Sequence, residues 1–456
     1  MAEHDENIDH NHEFLEELSG RADARNRIPL ELYSKYGVKR GLRNEDGSGV
    51  LVGLTEIGDV HGYIYDEGDR VPVEGRLTYR GFDIKDIVRG FEQERRTGYE
   101  EVVYLLLFGE LPDRGQLEKF RRLLGSKREL PEGFTENMIL KNPSSDIMNK
   151  LARSVLVSYS YDDNPDDISV RNVVRQSLEL IARFPTMAAY GYQAKRHYYD
   201  EESLFIHRPQ EELTTAENLL HMIRPDSSYT PLESATLDLA LVLHAEHGGG
   251  NNSTFTIHVV SSSGTDTYSA VAAAVGSLKG PLHGGANKQV KAMLADIKAN
   301  VKDWSDEKEV AAYLGRIVRK EAFDRTGLIY GIGHAVYTRS DPRAILLEKK
   351  SGELAREKSL EEEHNLYTMV ARLAPVVLSE YKNTEMHVSP NVDFYSGFVY
   401  QMLNIPEELY TPIFCIARVA GWSAHRIEEL VSGGRIIRPA YRNVYKHREY
   451  VPIDQR

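Results

Sequence analysis

The chain has 456 residues, enough for a large core and for two domains. Its 56 Lys and Arg against 69 Asp and Glu leave a formal charge of −13, which argues against a general nucleic-acid binder. A single cysteine, Cys415, excludes an intrachain disulfide and a cysteine-based zinc site, and no apolar run is long enough to cross a bilayer.

Residues 1–27 read as a flexible tail. The opening "MAEHDENIDHNHEFLEEL" lacks the basic and apolar pattern of a secretory signal and is too acidic for a transit peptide, so a cytoplasmic protein is expected. His4, His10 and His12 read as part of a solvated terminus rather than as metal ligands. Residues 40–80 are rich in glycine and β-branched side chains, which predicts a few short strands. Helical periodicity then takes over. "GYEEVVYLLLFGELP" predicts a helix stopped by Gly109 and Pro112. "DIMNKLARSVLVSYSY" and "RNVVRQSLELIARF" predict two more, the second ended or kinked by Pro185. "LESATLDLALVLHAEHGGG" places Leu237, Leu241 and His244 on one stripe and stops at Gly248–Gly250. The Ala/Ser/Gly-rich "DTYSAVAAAVGSLKG" predicts an interior helix, because small residues permit close approach. No alternating strand is found between residues 90 and 434, so the class is mainly α.

Four segments gather polar groups where helices stop. In "HAEHGGGN", His244 and His247 lie three apart. That spacing departs from H-E-x-x-H, and the pair reads as a capped helix end; no metal is expected. "GPLHGGAN" holds His283 between a Gly-Pro turn and a Gly-Gly pair. "GIGHAVYTRSDPR" holds His334 and Arg343 but lacks the G-x-G-x-x-G dinucleotide pattern. "SPNVDFYSG" sets Asp393 between Val392 and Phe394, where desolvation raises a carboxyl pKa; capping of a turn is the alternative. Together with Arg343, Arg418 and Arg438 these residues suit proton abstraction beside a carbonyl. A carboxylate takes the proton, histidines donate to developing oxyanions, and arginines grip a small diacid. There is no P-loop, no G-x-S-x-G elbow and no cysteine nucleophile beside a histidine.

The joint order of "LTYRGFDI", "HAEHGGGN", "GPLHGGAN", "GIGHAVYTRSDPR", "NVDFYSG" and "IARVAGWSAHRIE" resembles the citrate synthase family over residues 40–440. The resemblance implies a mainly α, two-domain fold: a large domain of residues 28–285 and 396–456, and a small domain of 286–395 that closes over the substrates. It implies a homodimer that condenses acetyl-CoA with oxaloacetate and hydrolyses citryl-CoA, with no resident cofactor. By motif, Asp393 is the base that removes the methyl proton. His283 donates to the thioester oxygen, and His334 polarises the ketone and acts as acid. His247, Arg343 and Arg418 bind oxaloacetate, and Arg438 in "RIIRPAY" reaches the partner's site. Leu328, Ile329, Gly331, Ile332 and Gly333 surround the adenine of CoA, and Arg339 is the candidate phosphate contact. Gly280–Pro281 place His283 near a helix N-terminus, where the dipole favours neutral imidazole. Two other functions fit the same motifs: 2-methylcitrate synthesis from propionyl-CoA, and a silent citrate or CoA sensor. The presence of His283, His334 and Asp393 together favours an enzyme.

Overall fold

The computed structural model describes residues 2–67, 69–384 and 386–456, with side chains from residue 14 onward. Residues up to Val52 form one compact unit and Gly53–Arg456 a second. In the first, residues 2–25 of the expected tail are helical: α1 spans Ala2–Arg25 and α2 spans Glu31–Lys35. Side chains 14–30 are exposed, and Arg21–Glu17 and Arg27–Asp23 (2.6 Å) pair at helical spacing. His4, His10 and His12 lie outside the described side chains.

The strands expected over residues 40–80 are realised as an antiparallel hairpin, β1 (Gly58–Asp66) and β2 (Asp69–Tyr79), to which β3 (Phe82–Asp83) adds two residues. The register slips between His61 and Tyr63, a bulge that adds twist. The hairpin lies against the 335–340 segment. Gly75 N–H donates to Ser340 Oγ at 3.1 Å, and Arg70 Nη2 donates to the Ala335 carbonyl at 3.2 Å. A Cβ at Gly75 would run into the Ser340 carbonyl oxygen, so only glycine permits this approach.

From Ile84 onward the regular elements of the described chain are helices, apart from one bridge between Ile332 and Pro390. Helices α3 (Ile84–Gln93), α4 (Tyr99–Phe108), α5 (Arg114–Gly125), α6 (Ile147–Ser158), α7 (Val170–Tyr199) and α8 (Thr215–Ile223) come first. Asp83, Asp113, Asp146, Ser169 and Thr214 cap α3 and α5–α8 by accepting backbone N–H groups, the bonds a helix start otherwise leaves open. α4 ends on Gly109, the stop read from the sequence, which takes a left-handed φ of 82°.

Pro185 does not end its helix: α7 runs 14 residues beyond it, to Tyr199. Proline costs a helix interior about 3 kcal/mol. Phe184 and Met187 alone, both fully buried, return about 1.5–3 kcal/mol each by leaving water, and Ala188, Ala189 and Ala194 are also buried. Burial therefore outweighs the local breaker.

The remaining helices are α9 (Pro231–His244), α10 (Asn252–Ser261), α11 (Thr267–Lys279), the single turn α12 (Pro281–Gly284), α13 (Ala286–Asn300), α14 (Glu307–Val318), α15 (Pro342–Lys358), α16 (Glu361–Lys382), α17 (Val392–Met402) and α18 (Tyr410–Val431). α11 is interior, as its small residues predict: Ala270, Val271, Ala274 and Val275 are fully buried. α18 is the axis of the core. It packs on α4, α7, α9, α10 and α11, and every residue from Cys415 to Arg426 is buried. Among the described residues no helix is long and apolar enough to cross a membrane.

Candidate active site

Thr230 and Glu233 form a reciprocal capping box at the start of α9, with Pro231 in its first turn. The helix ends at His244, so His247 lies in the turn beyond it rather than on the same helical stripe. Tyr79 Oη from β2 holds that turn, lying 2.9 Å from the Val242 carbonyl and 3.2 Å from that of Glu246. Both histidines are buried, and His244 Nδ1 and Nε2 and His247 Nε2 have no hydrogen-bond partner. Burial, and then the cations Arg343 and Arg418, hold both imidazoles well below their usual pKa. Two guanidinium groups here disfavour a metal ion between His244 and His247 and favour an anion.

Arg418 is fully buried on α18. Its Nε donates to the His244 carbonyl at 2.7 Å, whereas Nη1 and Nη2 are buried without a partner. Burial pushes its pKa down to about 10, with Glu246 and Tyr79 opposing. A guanidinium with two open N–H directions in a dry site matches the fork of a carboxylate. Arg343 is arranged differently. It opens α15 behind the cap Asp341, whose carboxylate accepts from Arg343 Nε at 3.0 Å and Nη2 at 2.7 Å. Burial opposes its charge, but this buried pair overrides burial and raises the Arg343 pKa. Only Nη1 lies outside the bridge to Asp341.

His334 and Asp393 sit on separate segments that Asn391 ties together. His334 Nδ1 accepts from the backbone N–H of Val336 and of Tyr337, both at 3.1 Å. A neutral ring therefore carries its proton on Nε2. The ring stacks on Tyr337 at 4.8 Å and meets His247 edge-on at 5.1 Å. Asn391 Nδ2 donates to the Gly333 carbonyl at 2.9 Å, its backbone N–H donates to the Gly331 carbonyl at 2.9 Å, and its Oδ1 accepts Asp393 N–H at 3.0 Å as the cap of α17. Gly333 N–H completes the join by donating to the Ser389 carbonyl at 2.8 Å. Asp393 is thus in the first turn of α17. Burial pushes its pKa up to about 6 against the nearby Arg343, with Asp341 adding to the rise. The sequence reading of a desolvated carboxylate and its capping alternative divide between neighbours: Asn391 does the capping and Asp393 is desolvated.

His283 lies in α12, whose Pro281 starts the turn after Gly280. His283 Nε2 is 3.0 Å from Ser253 Oγ, which accepts Trp422 Nε1–H at 3.2 Å. Burial first and Arg418 second push its pKa down to about 4. The neutral ring expected from a helix N-terminus thus has another cause, because a four-residue turn carries little dipole. Gly284 is needed where it stands: a Cβ there would run into the Leu278 carbonyl oxygen and sit 2.8 Å from Thr411 Cγ2.

Of the CoA candidates, Leu328 is 56% exposed and Ile329 is buried, while Gly331 and Gly333 adopt φ of 77° and 100°. Ile332 forms the bridge to Pro390, and Arg339 is exposed. Arg438 is exposed in the irregular segment after α18, outside the buried cluster. Sequence reasoning missed Asp341, Asn391, Ser253 and Glu246. The first two carried a signal, an Asp before Pro342 and an Asn two places before Asp393, both helix-start patterns. Ser253 and Glu246 carried none.

A mainly α fold that brings together buried histidines, a raised carboxylate and an unpaired buried guanidinium suits acid–base chemistry on a small anion. A family model described as citrate synthase, C-terminal domain, matches residues 46–440. The chain is 35% identical to a citrate synthase of Haloferax volcanii over 92% of its own length and 99% of that protein's. It is 32% identical to 2-methylcitrate synthase 1 of Corynebacterium glutamicum, over 92% and 98% of the two chains. The solved citrate synthase of Pyrobaculum aerophilum superposes with a TM-score of 0.72 at 32% identity, covering 90% of this chain and 94% of that one. The citrate synthase of Thermoplasma acidophilum, solved with carboxymethyl coenzyme A and oxaloacetate, does so at 0.71 and 25%, covering 91% and 98%. The chain belongs to the citrate synthase family and is an enzyme of the transferase class.

Proposed function

We propose that the protein condenses acetyl-CoA with oxaloacetate and hydrolyses the resulting citryl-CoA to citrate and CoA. The observation that carries this reading is Arg418, whose two buried, unpartnered NH2 groups stand among His247, His283, Arg343 and Asp393. One carboxylate of oxaloacetate fits that fork, with Arg343 Nη1 and His247 as further donors. Asp393 removes a methyl proton from the thioester, and the C–H pair becomes the enolate double bond. Neutral His283 donates a hydrogen bond to the enolate oxygen without protonating a stronger base outright. His334, protonated on Nε2, polarises the ketone. As the enolate carbon attacks, the carbonyl pair moves to oxygen and takes that proton. Water then cleaves the thioester and CoA leaves as the thiol.

The proposal includes closure of a small domain, residues 286–395, which carries His334, Arg343 and Asp393, over the remainder, which carries His247, His283 and Arg418. It also includes a cytoplasmic homodimer in which Arg438 enters the partner's site, and CoA held along 328–333 with Arg339 at a phosphate. No resident cofactor is needed for these steps. The second reading, 2-methylcitrate synthesis, is favoured by relatives of that name at 32% identity, close to the 35% of the citrate synthase. One methylene is worth only about 1–3 kcal/mol in a pocket, so propionyl-CoA is expected as a poorer substrate. A thiol-release assay with oxaloacetate and either acyl-CoA tests both. Faster release from acetyl-CoA is expected. Preference for propionyl-CoA moves the assignment to the second reading, and no release from either removes the enzymatic proposal in favour of a silent sensor.

A further inference from the structure

Beside this cluster, α10 and the C-terminal half of α18 bring two histidines together nitrogen to nitrogen. His258 Nε2 lies 3.1 Å from His425 Nδ1. The outer nitrogen of each ring already faces a carboxylate: His258 Nδ1 is 2.8 Å from Glu429 Oε2, and His425 Nε2 is 3.0 Å from Glu246 Oε1. A carboxylate on the outer nitrogen keeps a proton there and turns the ring's lone pair inward. Two inward lone pairs repel unless a proton or a cation lies between them.

A third donor completes the set. Glu428 Oε2 is buried, has no hydrogen-bond partner and lies 3.7 Å from His425 Nδ1. The other Glu428 oxygen, Oε1, accepts Glu56 N–H at 2.7 Å, which holds the carboxylate in place. Among the described residues, His258, His425 and Glu428 are the one set of three such side chains with ligand atoms all within 4.8 Å of one another.

We propose that His258 Nε2, His425 Nδ1 and Glu428 Oε2 form a site for one divalent transition-metal ion of the zinc type. Zinc bonds of about 2.0–2.2 Å put tetrahedral ligand atoms about 3.3–3.6 Å apart; two of the separations, 3.1 and 3.7 Å, lie close to that span, and all three ligand atoms lie within 4.8 Å of one another. Two imidazoles and one carboxylate select zinc-like ions over magnesium or calcium, which prefer oxygen. The backbone after His247 runs along one side: a Cβ on Gly249 would stand 3.6 Å from both His258 Nε2 and His425 Cε1. An ion here would tie α10 and α18 beside that glycine turn. Through the His425 ring it would also bear on Glu246, the residue that precedes His247. The competing arrangement is an imidazolium at His425 that donates Nδ1–H to His258 Nε2.

The test is a calorimetric titration of the chelator-stripped full chain with zinc sulfate, repeated with cobalt chloride while visible absorption is read. One equivalent is expected, with the cobalt bands of a four-coordinate site, and that equivalent is lost in both H258Q and E428Q. E429Q touches no metal and should weaken binding roughly 10- to 100-fold through the outer nitrogen of His258. Circular dichroism checks that each variant folds. His4, His10 and His12 offer another source of binding, but an equivalent held there survives in every variant. Binding unchanged in H258Q and E428Q, or no binding to the wild-type chain, overturns the proposal in favour of the shared proton.

Discussion

Arg418 carries a desolvation cost with only one of its donors, Nε, satisfied by the protein. Its partner is therefore expected to arrive with the substrate. A charge-assisted hydrogen bond is worth about 1.5–3 kcal/mol, so R418Q should raise the KM for oxaloacetate roughly 10- to 150-fold; an unchanged KM would remove Arg418 from the anion site. Asp393 must be ionised to accept a proton, and its pKa is raised to about 6. Activity should accordingly rise with pH through about 6 and level above it, while His283, at about 4, stays neutral throughout. The pH profile of kcat/KM checks this, and an acid limb near the ordinary carboxylate value would contradict it. Asp393→Gly should lower kcat by about 10²–10⁴-fold with oxaloacetate binding retained, measured by calorimetry. Val392 and Phe394 marked an apolar stretch around Asp393 in the sequence, but the burial that raises its pKa comes from the packing of α17. The pairing of Arg343 with Asp341 was less legible: the two lie two residues apart, but only the turn into α15 aims them at each other.

At the scale of elements, the site depends on how helix ends are joined. Asn391 caps α17 through Oδ1 and holds the His334 segment through Nδ2. Asn391→Ala should lose about 1 kcal/mol of cap and also lower turnover. Asn391→Ser keeps an acceptor for the cap but no amide to reach the Gly333 carbonyl. It should recover most of the stability in thermal melts but not the turnover; recovery of both would reduce Asn391 to a cap. Gly284→Ala should destabilise by about 1–3 kcal/mol, because its Cβ meets a backbone carbonyl that cannot turn aside. The stop at Gly109 was legible because helix termination by glycine is local chemistry. The continuation of α7 through Pro185 was not, because burial by distant helices sets its balance.

For the whole molecule, the proposed dimer gives a test by mixing. The D393N and R438Q variants should each be nearly inactive alone. If Arg438 serves the partner's site, subunit exchange between them creates one site with both residues intact, and activity should return on mixing. No recovery in verified hybrids would place Arg438 outside the partner's site.

Local chemistry in the sequence determined the mainly α class, the few short strands near the N-terminus, the interior helix of small residues and the motifs that carry the site. Periodicity, caps and turn residues act over a few positions, so a linear reading finds them. Tertiary structure alone decided which groups are dry and which charges meet. It left Arg418 with two open donors, joined the His334 and Asp393 segments through Asn391, and set His258 against His425 across 167 positions. Those outcomes depend on burial and on distances between remote segments, and both arise only when the helices pack around α18.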